Sequence, residues 1–192
     1  MKNLVILAGG KSIRMGKDKV FLHISDETFI ERLFSAGQKY FDRVLISTDT
    51  KEHANLISDV LKASGKKAEI LTDKYPEQGP LGALVTIFEE TDLDRFAVIP
   101  VDVPNAQMEF LLNLYEMEDA PIMIAGSEGK YEPLIGVYSR GIYEVLKDAL
   151  LKNDNKVIRV IENHFKAVPF TDRQKKDFTN INTKADYKEL EK

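Results

Sequence analysis

Two adjacent glycines, Gly9 and Gly10, close an apolar run, Leu4-Val5-Ile6-Leu7-Ala8, and are followed by Lys11, Arg14, Lys17 and Lys19. Paired glycines let a backbone turn tightly and approach a ligand, leaving peptide N–H groups free to face phosphate. Three lysines and an arginine within nine residues make this the densest basic cluster near any strand end, in a chain of net charge −4. The same residues would also make a plain strand-to-helix turn with solvated lysines. The loop is not of the Walker type: Gly10-Lys11-Ser12 matches the end of that motif, but Val5 stands where its first glycine is required. No G-x-G-x-x-G dinucleotide fingerprint occurs either.

Asp102 follows the most hydrophobic strand candidate, Phe96–Val101. Its carboxylate belongs at the rim of a sheet, where one or two carboxylates and a substrate's phosphates suffice to hold Mg²⁺. An aspartate just before Pro104 is equally a turn former. Asp73 stands in the same relation to the run Ala68–Leu71, and a carboxylate there can accept two parallel hydrogen bonds from a guanine edge or a ribose. It also reads as the start of a loop from Asp73 to Gly79. Gly79-Pro80-Leu81-Gly82 reads as a turn delivering a helix N-terminus, with Pro80 at its first position, facing a ligand or simply well capped. His23, His53 and His164 are scattered without metal-ligand spacing and read as ordinary surface or packing residues. Lys62, Lys66 and Lys67 around Gly65 read as a solvated turn.

The elements that must position these residues alternate regularly. Strands are expected at Leu4–Ala8, Val44–Thr48, Ala68–Leu71, Phe96–Val101, Ile122–Ala125, Leu134–Tyr138 and Ala167–Phe170. Helical periodicity lies between them, at Phe29–Tyr40, Glu52–Ala63, Leu81–Glu90, Met108–Met117, Ile142–Leu151 and Lys156–His164. Near-continuous apolar strands are buried on both faces. Strand–helix alternation then predicts a three-layer α/β/α sandwich around a mainly parallel, Rossmann-like sheet with right-handed crossovers. Ligands of such sheets sit outside the carboxyl ends of the strands. With 192 residues and no linker or repeat, the reading is one domain over 1–192.

Composition narrows the chemistry. The absence of cysteine excludes disulfides, thiolate metal sites and cysteine nucleophiles. The acidic balance argues against a nucleic-acid partner, whose footprint would be basic. The apolar start is too short for a signal peptide, and no run approaches the ~18 residues of a membrane span. The expectation is a soluble, cytoplasmic protein with no membrane partner.

The segment Leu7-Ala8-Gly9-Gly10-x-Ser12-x-Arg14-Met15-Gly16-x-Asp18-Lys19 resembles the signature loop of the molybdenum cofactor guanylyltransferases, the MobA family of nucleotidyltransferases. Further matches follow in family order along most of the chain. They are Asp73 with Gly79-Pro80-Leu81-Gly82-Ala83-Leu84, Pro100-Val101-Asp102-Val103-Pro104, Glu132-Pro133-Leu134-x-Gly136-Val137-Tyr138, and Asn180-Ile181-Asn182-Thr183. Val101 replaces the family's usual cysteine, and Lys184 its proline.

The resemblance implies a nucleotide-diphospho-sugar transferase-like fold and Mg²⁺-dependent transfer of GMP from GTP to the terminal phosphate of a molybdopterin-type cofactor, releasing pyrophosphate. Molybdoenzymes or other cofactor-biosynthesis proteins would be further partners. It implies catalytic roles for Arg14, Lys19 and Asp102, with Asp102 also the metal ligand. Nucleotide contacts would come from Leu7, Ala8, Gly9, Gly10, Lys19, Ser47, Asp73, Gly79 and Asp102. Ser47 stands where some members use an asparagine for nucleotide contact, with a shorter side chain. Asn182 is a weaker candidate for the second substrate or the metal, because Thr183 and Asp186 fit the looser form of a capping box that explains part of its motif. The attacking phosphate is already a nucleophile, so the lack of a side-chain nucleophile or triad agrees with this chemistry. The competing readings are a cytidylyl or sugar-phosphate nucleotidyltransferase of the same fold, and a nucleotide-binding module without chemistry, which would have lost Lys19 or Asp102.

Overall fold

Leu4, Val5 and Ile6 have no solvent exposure at all, so the first strand must satisfy its backbone on both edges and its side chains on both faces. In the computed structural model, which describes residues 1–10, 18–127 and 129–190, it does so at the centre of a seven-stranded sheet. Strand β1 (Asn3–Leu7) pairs in parallel with β4 (Arg43–Thr48) on one side and β6 (Arg95–Pro100) on the other. Beyond β4 lies β5 (Glu69–Thr72), also parallel. Beyond β6 lies β8 (Lys130–Ser139), antiparallel to β6, followed by β7 (Ile122–Ser127) and β9 (Phe165–Val168). The order is β5-β4-β1-β6-β8-β7-β9, with β8 alone reversed among these strands.

The helices cover both faces. Alternation along β1 sends Leu4 and Ile6 into a cluster with residues of α1 (Phe29–Gly37), α2 (Lys51–Ala63) and α4 (Met108–Glu116). Val5 and Leu7 face the opposite cluster, formed with α3 (Gly79–Glu90), α5 (Tyr143–Leu151) and the single turn α6 (Val157–Val160). Each such fully buried aliphatic side chain contributes about 1.5–3 kcal/mol. The expected three-layer, mainly parallel sandwich is the observed one. Helix starts follow the sequence closely: Thr28 caps α1 through a box with Glu31, and Thr50 caps α2 by accepting from the His53 N–H.

Differences are local. A short hairpin, β2 (His23–Ile24) with β3 (Glu27–Thr28), precedes α1 and is too brief to announce itself by alternation. The helix expected at Lys156–His164 closes after one turn, and the strand expected at Ala167–Phe170 begins two residues earlier, at Phe165. Two further helices close the chain, α7 (Asp172–Asp177) behind a Thr171–Gln174 capping box and α8 (Lys184–Leu190). No helix among the described residues is long and apolar enough to cross a membrane.

Strand β8 reaches β7 through an irregular register between Ile124 and Ala125, after which Ala125 pairs with Glu132. The buried Tyr138 donates its hydroxyl to the Pro133 carbonyl at 2.6 Å, capturing a backbone acceptor that the bulge takes out of the ladder. Gly136 makes the approach possible, since a Cβ there would stand 2.5 Å from the Met123 carbonyl oxygen. Gly136→Ala should therefore cost ~1–3 kcal/mol by overpacking and lower the melting temperature by about 2–4 °C per kcal/mol. Thermal denaturation of the variant checks this; an unchanged melting temperature would contradict the packing argument.

Candidate active site

The backbone ladder runs on past the strand ends and so fixes where the rim residues lie. The Ala8 N–H donates to the Ser47 carbonyl at 2.7 Å, the Val101 N–H to Leu7 at 2.9 Å, and the Asp73 N–H to Thr48 at 2.8 Å. Gly9 and Gly10 thus emerge between Asp49 and Asp73 on one side and Asp102 on the other. Gly10 has φ of 117°, which a side chain would resist, and a Cβ on Gly9 would stand 3.3 Å from the Asp49 backbone nitrogen. Both glycines are exposed, whereas Leu7 and Ala8 are buried beneath them. Arg14 lies outside the described residues.

Lys19 opens a 3-10 turn at Lys19–Phe21 that Asp18 caps by accepting from the Val20 N–H at 3.1 Å. Its ammonium donates to Asp102 Oδ2 at 3.1 Å and to Asn182 Oδ1 at 2.6 Å. Three remote segments therefore meet on one cation. The tail is held there by a second contact, the Ile181 N–H to the Asp102 carbonyl at 2.8 Å. The Asp186 carboxylate accepts from the N–H groups of Asn182 and Thr183, and the Asp186 N–H donates to Thr183 Oγ1, completing the expected capping box. Tyr187 donates to the His23 carbonyl at 2.7 Å, fastening α8 to the β2–β3 hairpin.

Asp102 Oδ1 and Asn180 Oδ1 are both buried without a hydrogen-bond partner. A buried oxygen without a partner, on a carboxylate whose other oxygen engages Lys19, is costly unless something fills the gap. Glu132 belongs to the same neighbourhood: partial desolvation of its carboxyl, then the nearby Asp102 charge, hold it above the usual carboxylate range. No group of three or more His, Asp or Glu among the described residues could enclose a metal ion by itself. Oxygen donors too few for an all-protein cage, one of them an unpartnered buried carboxylate oxygen, suit a hard cation that keeps substrate phosphates in its shell.

On the other side of the loop, Asp73 Oδ1 accepts from the Tyr75 N–H at 2.7 Å and from Thr86 Oγ1 at 2.8 Å. This is the loop-starting geometry the sequence allowed. Gly79 is exposed at the head of α3, where Tyr75 is held so close that a Cβ on Gly82 would meet its carbonyl oxygen at 2.3 Å. Ser47 is only 2% exposed, with Oγ buried and unpartnered, so the structure sets it beneath the rim. The polar group presented after β4 is instead Asp49, half-buried beside Gly9. Lys19, Asp102 and Asn182 are thus brought into contact, while Asp73 and Gly79 lie across the loop from them. Asn180, Glu132, Asp49 and His53 are rim groups that single-residue reading passed over; only Asn180 and Glu132 had a motif to signal them.

The sequence matches the MobA-like NTP transferase domain over residues 4–168. The chain belongs to that family. A protein of Carboxydothermus hydrogenoformans named a probable molybdenum cofactor guanylyltransferase is 32% identical, covering 99% of this chain and 96% of its own. A relative of the same name from Clostridium perfringens is 31% identical over 98% of this chain and 96% of its own. The crystal structure of molybdopterin-guanine dinucleotide biosynthesis protein A from Archaeoglobus fulgidus superposes with a TM-score of 0.81 at 22% identity, covering 98% and 96% of the two chains, which establishes the shared fold.

Within this MobA-like frame, Asp73 carries a measurable cost. Burial raises its carboxyl above the usual range, the bonds from Tyr75 and Thr86 offset this only in part, and the neighbouring Asp49 charge adds to it. A carboxyl raised by folding favours the protonated native state, so its charge destabilises the fold increasingly as pH climbs from the unfolded value, about 3.9, through the folded one. Asp73→Asn keeps an Oδ1 acceptor and removes the charge. We expect its melting temperature at pH 7 to equal or exceed that of the wild type, an advantage that disappears below about pH 4. Melting curves across that range check the sign.

Proposed function

We propose that this chain transfers GMP from GTP to the terminal phosphate of a molybdopterin-type cofactor, with release of pyrophosphate and a requirement for Mg²⁺. Family membership and the full-length likeness to proteins named as molybdenum cofactor guanylyltransferases support the guanylyl reading. The observation that carries the mechanism is the Lys19 ammonium seated between Asp102 and Asn182 at the exit of the glycine loop. A cytoplasmic location belongs to the same proposal.

The acceptor phosphate attacks the α-phosphorus of GTP, one P–O bond forms, and the bond to the β-phosphate breaks with pyrophosphate as leaving group. No side chain needs to become a nucleophile. The protein's task is positioning and charge neutralisation. Gly9 and Gly10, without side chains and exposed at the end of β1, are suited to present N–H groups to the triphosphate. Arg14 and Lys19 would offset charge that builds on the α-phosphate and on pyrophosphate. Asp102, through its unpartnered Oδ1, would hold Mg²⁺. Bound there, the ion would neutralise phosphate oxygens. Asp73, Gly79 and the backbone around Leu7 and Ala8 line the opposite side of the loop, where base and ribose would lie. Asn182 is proposed to hold Lys19 and to face the acceptor, with molybdoenzymes or other cofactor-biosynthesis proteins taking the product.

Two measurements test this. Lys19→Ala and Asp102→Ala should each lower guanylyl transfer ~10²–10³-fold, the usual cost of one transition-state charge contact; turnover within a few-fold of wild type would refute the assignment. Calorimetric titration should show GTP preferred over CTP and ATP, with Mg²⁺ strengthening binding. Preference for CTP would assign the chain to cytidylyl transfer with the same machinery.

A further inference from the structure

His53, in the first turn of α2, is not a bystander. Its side chain is only 11% exposed, and both ring nitrogens are engaged. Nδ1 lies 2.7 Å from Thr48 Oγ1 and 3.2 Å from Asp49 Oδ1, at the end of β4. Nε2 is buried and lies 2.9 Å from Asp18 Oδ2. The Phe21 ring packs edge-on at 5.7 Å. The other oxygen of Asp18 caps the turn whose first residue is Lys19.

A continuous relay therefore crosses the rim: Thr48 and Asp49, His53, Asp18, the capped turn, Lys19, and finally Asp102 and Asn182. We propose that His53 is a positioning residue for nucleotidyl transfer, holding Asp18 so that the turn at Lys19–Phe21 delivers the Lys19 ammonium to Asp102. This rests on the function proposed above. The Asp18 carboxylate, against the opposing effect of burial and with help from Asp49, holds the imidazole above its ordinary value. Burial pushes Asp18 up, but His53 and the Val20 N–H together bring it below the usual carboxylate range.

The test is a double-mutant cycle read in guanylyl transfer from GTP, comparing wild type, His53→Ala, Lys19→Ala and the double variant. If His53 acts through Lys19, His53→Ala should lower kcat by about 10–10²-fold, as expected for misplacement of a catalytic group, and by less than about 3-fold when Lys19 is already alanine. Asp18→Asn should behave in the same way. Equal losses in both backgrounds would show a general structural role and overturn the proposal, as would an unimpaired His53→Ala. Should His53→Ala fail to fold, His53→Gln fills the volume without the charge and carries the same cycle. A wild type that transfers nothing from GTP refutes the functional reading itself, and the positioning role falls with it; a wild type that responds to Lys19→Ala but shows no coupling to His53 refutes the positioning role alone.

Discussion

A buried strand with two parallel neighbours is the constraint from which the rest follows. Because β1 is enclosed by β4 and β6 in the same direction, the carboxyl ends of all three open on one edge, and whatever residues come next are forced together. Gly9, Asp49 and Asp102 are those residues. The chemistry at the rim is thus a product of strand direction before it is a product of any side chain. The reversed β8 does not disturb this, since it enters beyond β6 and leaves the three central ends aligned.

What gathers at that edge is unlike charge in unequal distribution. The chain is acidic overall, and Asp18, Asp49, Asp73 and Asp102 all surround a loop proposed to receive a triphosphate. The fold manages this by giving every one of these carboxylates a partner: His53 for both Asp18 and Asp49, the Tyr75 N–H and Thr86 for Asp73, Lys19 for Asp102. Cations so engaged are held in place in advance, which is the condition under which fixed charges stabilise a transition state at little reorganisation.

The layer order and the rim were largely legible in the residues. Continuous apolar runs gave the strands, and the glycine pair, Asp73 and Asp102 fell just past strand ends as the periodicity implied. Reading failed where the decisive fact was a contact between distant segments. Ser47 reads as a nucleotide contact only through the resemblance, at a position where some members carry asparagine, yet it lies inside β4 with its hydroxyl buried, while Asp49 follows the strand and is partly exposed. His53 carried no motif, since its partners lie 35 residues before it, at Asp18, and at Thr48, the last residue of β4, and Asp49 just after it. Asn182 could be explained locally as part of a capped helix start. Only the folded chain shows it also holding the Lys19 ammonium.

The tail contact has a consequence for how the protein is made. Lys19 and Asp102 belong to segments synthesised early, but Ile181 and Asn182, which complete their surroundings, lie beyond the whole sheet and beyond residue 168, where the match to the family domain ends. Domains generally fold as units. The surroundings of Lys19 are therefore complete only once the segment carrying Ile181 and Asn182 has been synthesised and can join the rest of the fold.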